Sequence, residues 1–213
     1  MIPDWATERR RMVDVQLRRR GIRDERVLAA MNEIPREEFV PAESRIEAYT
    51  DGPIHIGHGQ TISQPYMTAL MAQLLKLSGE ETVLEVGAGC GYAAAVLGQV
   101  AARVVAVELI PGLAQLAREN LHRTGRDANV TVVEGDGQFG YRPLAPYRGI
   151  SVAAAAPEIP TALLDQLDDP GCLVIPVDIT EDQELRTVWK RDGRIDYRVA
   201  TLCRFVPLRG GGR

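Results

Sequence analysis

The chain has 213 residues, with 25 Lys and Arg against 29 Asp and Glu, a formal net charge of −4, and 45% apolar residues. These proportions exclude a disordered, collagenous or coiled-coil chain and fit one globular domain built on a single core. The mildly acidic balance excludes a general phosphate-backbone binder, and no apolar run is long enough to cross a bilayer. Cys90, Cys172 and Cys203 are odd in number and far apart, so neither a disulfide framework nor a zinc pattern is expected, and a reducing cytoplasm fits best. The charged N-terminus lacks the apolar stretch of a secretory signal.

Residues 4–47 read as helical. Thr7 with Glu8 and Arg10 starts one helix, carrying Met12, Val13 and Leu17, and Gly21 ends it. Asp24 caps a second, with Val27, Leu28 and Met31 apolar, that stops before Pro35. The arginines crowding the first 26 residues read as a solvated helical face, with an electrostatic arm for an acidic partner as the alternative. Residues 48–65 break periodicity at Gly52, Pro53, Gly57, Gly59 and Pro65. A long ordered loop or short-strand segment is expected there, and such a loop inside a compact domain points to function.

From residue 66 onward apolar strands alternate with helices. Helix 66–76 precedes strand 82–86, helix 91–100, strand 103–107 and helix 111–124, which has Pro111 in its first turn. Strands 130–134 and 149–153, helix 160–167 and strand 172–177 follow, and segments 185–190 and 195–205 close as a hairpin around Asp192-Gly193. This alternation predicts an α/β fold: a doubly wound, mostly parallel sheet with helices on both faces, an antiparallel C-terminal edge and an N-terminal helical and loop extension. One domain is expected over 1–213, with helices and a loop in 1–65, a ligand-binding core in 66–177 and C-terminal strands in 178–213.

The most informative segment is Val83-Leu84-Glu85-Val86-Gly87-Ala88-Gly89-Cys90-Gly91-Tyr92. A buried strand runs into glycines at alternate positions and then a helix, at the strand end where open α/β sheets bind ligands. Tyr92 stands where a dinucleotide fingerprint has its third glycine, and no P-loop lysine or basic cluster awaits a pyrophosphate. Glu108 ends the next strand, where an acid can accept hydrogen bonds from both ribose hydroxyls. Asp136, in Glu134-Gly135-Asp136-Gly137 after the third strand, can take the amino group of an adenine. Three successive strand ends therefore suit an adenosine without phosphates. The alternatives are glycines that only make turns beside solvated acids, or a nicotinamide dehydrogenase.

This arrangement resembles the class I S-adenosylmethionine-dependent methyltransferases, whose fold is Rossmann-like. Ile56-Gly57-His58-Gly59-Gln60-Thr61-Ile62-Ser63-Gln64-Pro65-Tyr66-Met67 resembles the signature of the protein-L-isoaspartate O-methyltransferase family. Pro35-Arg36-Glu37-Glu38-Phe39-Val40-Pro41, Ala154-Ala155-Ala156-Pro157-Glu158-Ile159-Pro160, Leu173-Val174-Ile175-Pro176-Val177 and Arg204-Phe205-Val206-Pro207-Leu208 resemble further segments of that family, in the same order. The resemblance implies a repair enzyme. It moves a methyl group from S-adenosylmethionine, leaving S-adenosylhomocysteine, to the α-carboxylate of L-isoaspartyl and D-aspartyl residues in damaged proteins. The ester then collapses to a succinimide that hydrolyses partly to Asp.

The same resemblance implies Ser63 as the residue holding the acceptor carboxylate, with Thr61 and Gln64 weaker candidates. It sets Ile56, Thr61, Val206 and Leu208 at the substrate, and Ile62, Gln64, Pro65, Glu85, Gly87, Gly89, Gly91, Glu108, Asp136 and Gly137 at the cofactor, with no metal. The implied partners are isoaspartyl peptides and proteins, not nucleic acid or membrane, met by a cytoplasmic monomer. The chemistry is compatible. A carboxylate is already ionised at neutral pH, so no strong base is needed. Charge disperses as a sulfonium methyl moves to an anion, so a dry, well-aligned site supplies the rate, alignment alone contributing roughly 7–11 kcal/mol.

Two alternatives stay open: the same chemistry on an ordinary Asp of a dedicated partner peptide, giving an aspartimide, and a non-catalytic S-adenosylmethionine-binding protein. The chain departs from the family pattern at Tyr147-Arg148, at the acidic segment 178–183 and in a tail of only Arg209 to Arg213. His55 and His58 lack metal spacing and read as exposed loop residues. Cys90 reads as a small filler at a helix N-terminus, where a thiol pKa can fall.

Overall fold

A computed structural model describes residues 3–210. Asp4 begins the first helix, its carboxylate accepting from the backbone N–H groups of Ala6 and Thr7 at 3.2 and 3.4 Å. Helix α1 (Trp5–Arg11) therefore starts ahead of Thr7 and continues through a π-helical stretch, Met12–Leu17, and a 3-10 turn, Arg18–Arg20. Gly21 stops it at φ +96°. Helix α2 (Glu25–Glu33) has Asp24 as its N-cap and buries Val27, Leu28, Ala30 and Met31. Most of the N-terminal arginines are exposed, as a solvated face requires, while Arg26 donates to the Leu77 and Val100 carbonyls at 2.8 and 2.9 Å and others pair within the extension. Arg9 donates to Glu37 at 3.0 Å and to the Tyr49 hydroxyl at 2.8 Å, and Arg20 pairs with Asp51 at 3.0 Å.

The segment 48–65 holds a small hairpin. Strands β1 (Ile54–Gly57) and β2 (Gln60–Ile62) pair antiparallel across His58 and Gly59, whose φ angles of +53° and +70° are the left-handed pair that tight hairpin turns use. Ile54, Ile56 and Ile62 are buried, while both histidines face solvent.

Helix α3 (Pro65–Leu74) leads into the main sheet. In chain order follow β3 (Thr82–Val86), α4 (Tyr92–Gly98), β4 (Arg103–Glu108), α5 (Pro111–Arg123), β5 (Val130–Glu134), β6 (Tyr147–Val152), α6 (Thr161–Gln166), β7 (Leu167–Asp178), β8 (Gln183–Arg191) and β9 (Arg194–Cys203). The strands lie in the order β5-β4-β3-β6-β7-β8-β9. Pairing is parallel from β5 to β7 and antiparallel from β7 to β9. The period of two in each strand divides the core between the faces: Val83, Val104 and Ala106 belong to one cluster, and Leu84, Val86, Val105 and Val107 to the other. Helices α2 to α5 contribute to the first cluster, and α6 to the second through Leu163.

Strand β6 starts at Tyr147, ahead of the expected 149. Tyr147 is buried, and its hydroxyl donates to the Tyr141 carbonyl at 2.5 Å. Strand β7 begins directly after α6 and is longer than the expected 172–177, whereas β9 ends at Cys203. The C-terminal hairpin turns at Asp192 and Gly193. Beyond it the tail crosses back over the sheet: Ala155 N–H donates to the Val206 carbonyl at 2.8 Å, and Leu208 N–H to that of Ala155 at 2.7 Å. Among the described residues no helix is long and apolar enough to cross a membrane.

Candidate active site

The strand order reverses between β3 and β6, and the crevice at such a switch point is where doubly wound sheets bind ligands. The chain leaves β3 through Gly87, Gly89 and Gly91 at φ +88°, +55° and +87°, a turn that side-chain-bearing residues enter only under strain. Gly87 and Ala88 N–H groups donate to the Val107 carbonyl at 2.8 and 3.2 Å, anchoring the turn to the neighbouring strand. The Glu108 carboxylate, 6% exposed, accepts from Gly89 N–H at 2.8 Å and from Ile110 N–H at 2.9 Å. Each of its oxygens keeps a lone pair for the cleft it lines.

Glu85 is 1% exposed, and its Oε2 has no hydrogen-bond partner. Burial, and then the neighbouring Glu108, push its pKa well above the usual 4.5. It lines the cleft and also a small void behind it of about 20 Å3, which Ser63, Thr68 and Ser151 share. Gly137 lines the cleft as well, and a Cβ there would lie 2.4 Å from Val86 Cγ1, so the two strand ends approach only because it is glycine. Asp136 itself caps the following turn, accepting from Gln138 N–H at 2.9 Å, and lies outside the cleft lining.

The cleft opens at the carboxyl ends of β3 and β4. Its walls are the glycine turn, Glu108 to Ile110, the segment Gln60 to Ser63, Ala153-Ala154 and the returning tail. Beside it runs an open groove whose wall includes Arg20, Asp51, Tyr66, Met67, Leu202 and Phe205. Thr61, Ser63, Ala153 and Val206 line both spaces. Ser63 is half-buried between them, and its carbonyl accepts from Arg36 Nη2 at 2.8 Å.

The residues singled out in the sequence thus separate. Ser63, Thr61, Ile62, Glu85, Gly87, Gly89, Glu108, Gly137, Val206 and Leu208 all line the cleft. Gln64 does not; its amide donates to Asp51 Oδ1 at 2.8 Å on the groove side, because Asp51 lies across from it beside Arg20. Pro65 is the buried first residue of α3 and lines neither space, since its ring is held in the helix start. Ile56 lies against Gly89, where an added Cβ would meet its Cδ1 at 3.3 Å, and reaches neither lining. Gly91 sits beneath the turn, where a Cβ would be 3.1 Å from the Ala117 carbonyl of α5.

Ala153, Ala154, Ile110 and Arg209 line the cleft without having been singled out. The carboxyl ends of β4 and β6 were the available signal for the first three; the tail had none. The Cys90 thiol is buried and pushed up to about 11, the reverse of the effect a helix N-terminus has on an exposed thiol. Among the described residues no group of three or more His, Cys, Asp or Glu side chains is placed to hold a metal.

Residues 7–212 match the family model for protein-L-isoaspartate(D-aspartate) O-methyltransferase. The chain is 53% identical over 207 residues to the protein-L-isoaspartate O-methyltransferase of Methanoregula boonei, covering 96% of this chain and 94% of that one. It is 52% identical over 204 residues to that of Methanoculleus marisnigri, covering 95% and 92%. A solved protein-L-isoaspartate O-methyltransferase superposes with a TM-score of 0.82 at 30% identity, covering 95% of this chain, which spans 66% of that longer one. A beta-aspartate methyltransferase from Plasmodium falciparum, in complex with S-adenosyl-L-homocysteine, superposes with a TM-score of 0.81 at 26% identity, covering 94% and 98%.

Proposed function

The chain belongs to the protein-L-isoaspartate(D-aspartate) O-methyltransferase family, and we propose that its cleft and groove together carry out methyl transfer from S-adenosylmethionine to the α-carboxylate of L-isoaspartyl and D-aspartyl residues in damaged proteins. The observation that carries this reading is the shared wall: Thr61, Ser63, Ala153 and Val206 face both the inner cleft and the outer groove. A peptide lying in the groove meets the cleft there.

The chemistry of the cleft lining fits S-adenosylmethionine. The glycine turn admits a ligand close to the backbone, Glu108 offers lone pairs to ribose hydroxyls, and the unpartnered Glu85 Oε2 offers an acceptor to the ammonium of a methionine moiety. Gly137 borders the cleft where the adenine would lie. Bound there, S-adenosylmethionine supplies a methyl group on a positively charged sulfur.

The chain itself binds, aligns and excludes water. The Ser63 hydroxyl donates to the acceptor carboxylate and turns one of its oxygens toward the cleft. Thr61 borders the same opening, and Ile62, Val206 and Leu208 keep it apolar. The acceptor is ionised at neutral pH, so no side chain need act as a general base. Within this reading the enzyme is a cytoplasmic monomer with isoaspartyl proteins as its partners, and neither nucleic acid nor a membrane takes part.

Two peptides identical except for one isoaspartyl or one Asp residue test the proposal with S-adenosylmethionine as donor. Methyl ester is expected on the isoaspartyl peptide alone. Equal labelling of both, or of neither, overturns it; labelling of both fits instead an enzyme that modifies ordinary Asp.

A further inference from the structure

Arg36 is fully buried at 0% exposure, and among the described residues it forms no ion pair. Its partners are neutral. Nε donates to the Ala48 carbonyl at 2.8 Å and Nη2 to the Ser63 carbonyl at 2.8 Å, the guanidinium lies 4.9 Å from the centre of the Tyr92 ring, and Nη1 has no hydrogen-bond partner. Burying a cation without a counter-charge is costly, and an apolar side chain could fill the same space at lower cost. Burial accordingly draws the guanidinium pKa down.

What an apolar residue cannot supply is a set of directed N–H groups. Two N–H groups and the face of the guanidinium reach three separate parts of the site. Ala48 and Ser63 flank the β1–β2 hairpin on its two sides, and Tyr92 is the first residue of α4, directly after the glycine turn. One planar side chain thus joins both ends of the substrate-side segment to the cofactor-side turn. Arg36 itself lines neither cleft nor groove.

We propose that Arg36 is a positioning residue for methyl transfer: by holding the Ser63 carbonyl and lying on Tyr92, it fixes Ser63 relative to the glycine turn and so sets the line from acceptor carboxylate to methyl donor. The inference rests on the methyltransferase reading. In-line transfer tolerates little misplacement, and an error of about 1 Å can cost roughly a hundredfold in rate. Lysine is no substitute, because a single ammonium cannot span both carbonyls as the guanidinium fork does.

The test compares the wild-type chain with Arg36→Lys and Arg36→Met, using an isoaspartyl peptide and S-adenosylmethionine. The wild-type arm judges the methyltransferase reading separately, since an inactive wild type defeats that reading whatever the variants do. Arg36→Met removes the cost of the buried charge and also leaves the Ala48 and Ser63 carbonyls without this donor; the two effects oppose each other, so it is expected to fold with a melting temperature within a few degrees of the wild type. For both variants kcat is expected to fall by roughly 10- to 100-fold, with KM for the peptide and affinity for S-adenosylhomocysteine within about threefold. An unchanged kcat overturns the proposal. So does a loss of kcat that only tracks lower cofactor affinity and a lower melting temperature, since that is the mark of a merely structural residue. If Arg36→Lys does not fold, Arg36→Met decides alone by the same criterion.

Discussion

Replacing Glu108 with Gln isolates the role of one carboxylate. The substitution preserves shape while removing the charge and one acceptor. In the wild type, Oε2 takes Gly89 N–H at 2.8 Å and Oε1 takes Ile110 N–H at 2.9 Å, and the residue lines the cleft. A Gln amide satisfies one of those donors and turns its own N–H2 toward the other. The two proposed ribose bonds are weakened with it. A hydrogen bond to a charged group contributes about 1.5–3 kcal/mol and a neutral one about 0.5–1.5. Demoting two ribose bonds therefore costs roughly 2–3 kcal/mol, or about 30- to 150-fold in affinity at about 1.4 kcal/mol per decade. Titration calorimetry with S-adenosylhomocysteine reads this directly, and a thermal melt of the same sample reports whether the fold is intact. Affinity within threefold of wild type, in a variant that melts normally, would refute the ribose assignment.

Three further substitutions follow from the same geometry. Ser63→Ala should slow turnover on an isoaspartyl peptide by roughly 10- to 150-fold, the worth of a charge-assisted hydrogen bond, with S-adenosylhomocysteine affinity unchanged; wild-type kcat would remove Ser63 from the mechanism. Gly137→Ala places a Cβ 2.4 Å from Val86 Cγ1 and should cost about 1–3 kcal/mol by overpacking, seen as a lower melting temperature; an unchanged melt would mean Val86 yields freely. Glu85 has its pKa raised by burial, so the folded chain holds the proton more tightly than the unfolded chain does. Its contribution to stability is complete below the usual value of 4.5 and is lost as pH rises through the folded-state value. The wild-type melting temperature should accordingly decline more than that of Glu85→Gln between acidic and neutral pH, and parallel curves would contradict the buried-carboxyl account.

The parts of this protein legible in sequence are those whose physics is local. The alternation of apolar strands and helices from residue 66 onward predicts the sheet because burial on both faces demands continuous apolar strands. The glycines at 87, 89 and 91 announce a left-handed turn because few other residues enter that backbone region without strain. The Asp192-Gly193 hairpin is similarly local. Element ends were harder. Trp5 begins α1 because the Asp4 carboxylate happens to reach two backbone N–H groups, and Tyr147 joins β6 because its hydroxyl finds the Tyr141 carbonyl. Neither contact leaves a periodic trace.

Sequence by itself therefore determined the class of fold and, through resemblance, the family and its reaction, and it proposed an adenosine site at three strand ends. Tertiary structure alone decided which of those residues meet. It brings Ser63 and Val206, 143 positions apart by number, to one opening between two spaces. It turns Gln64 to Asp51 and seats Ile56 on the glycine turn instead of in the cleft. It buries Arg36 against Ser63 and Tyr92, a role that its place in a family-like segment of the sequence does not reveal. The physical reason is range. Turn strain, capping and side-chain period act over a few residues, whereas a hydrogen bond or a shared wall between distant segments is set by how the whole chain closes on its core.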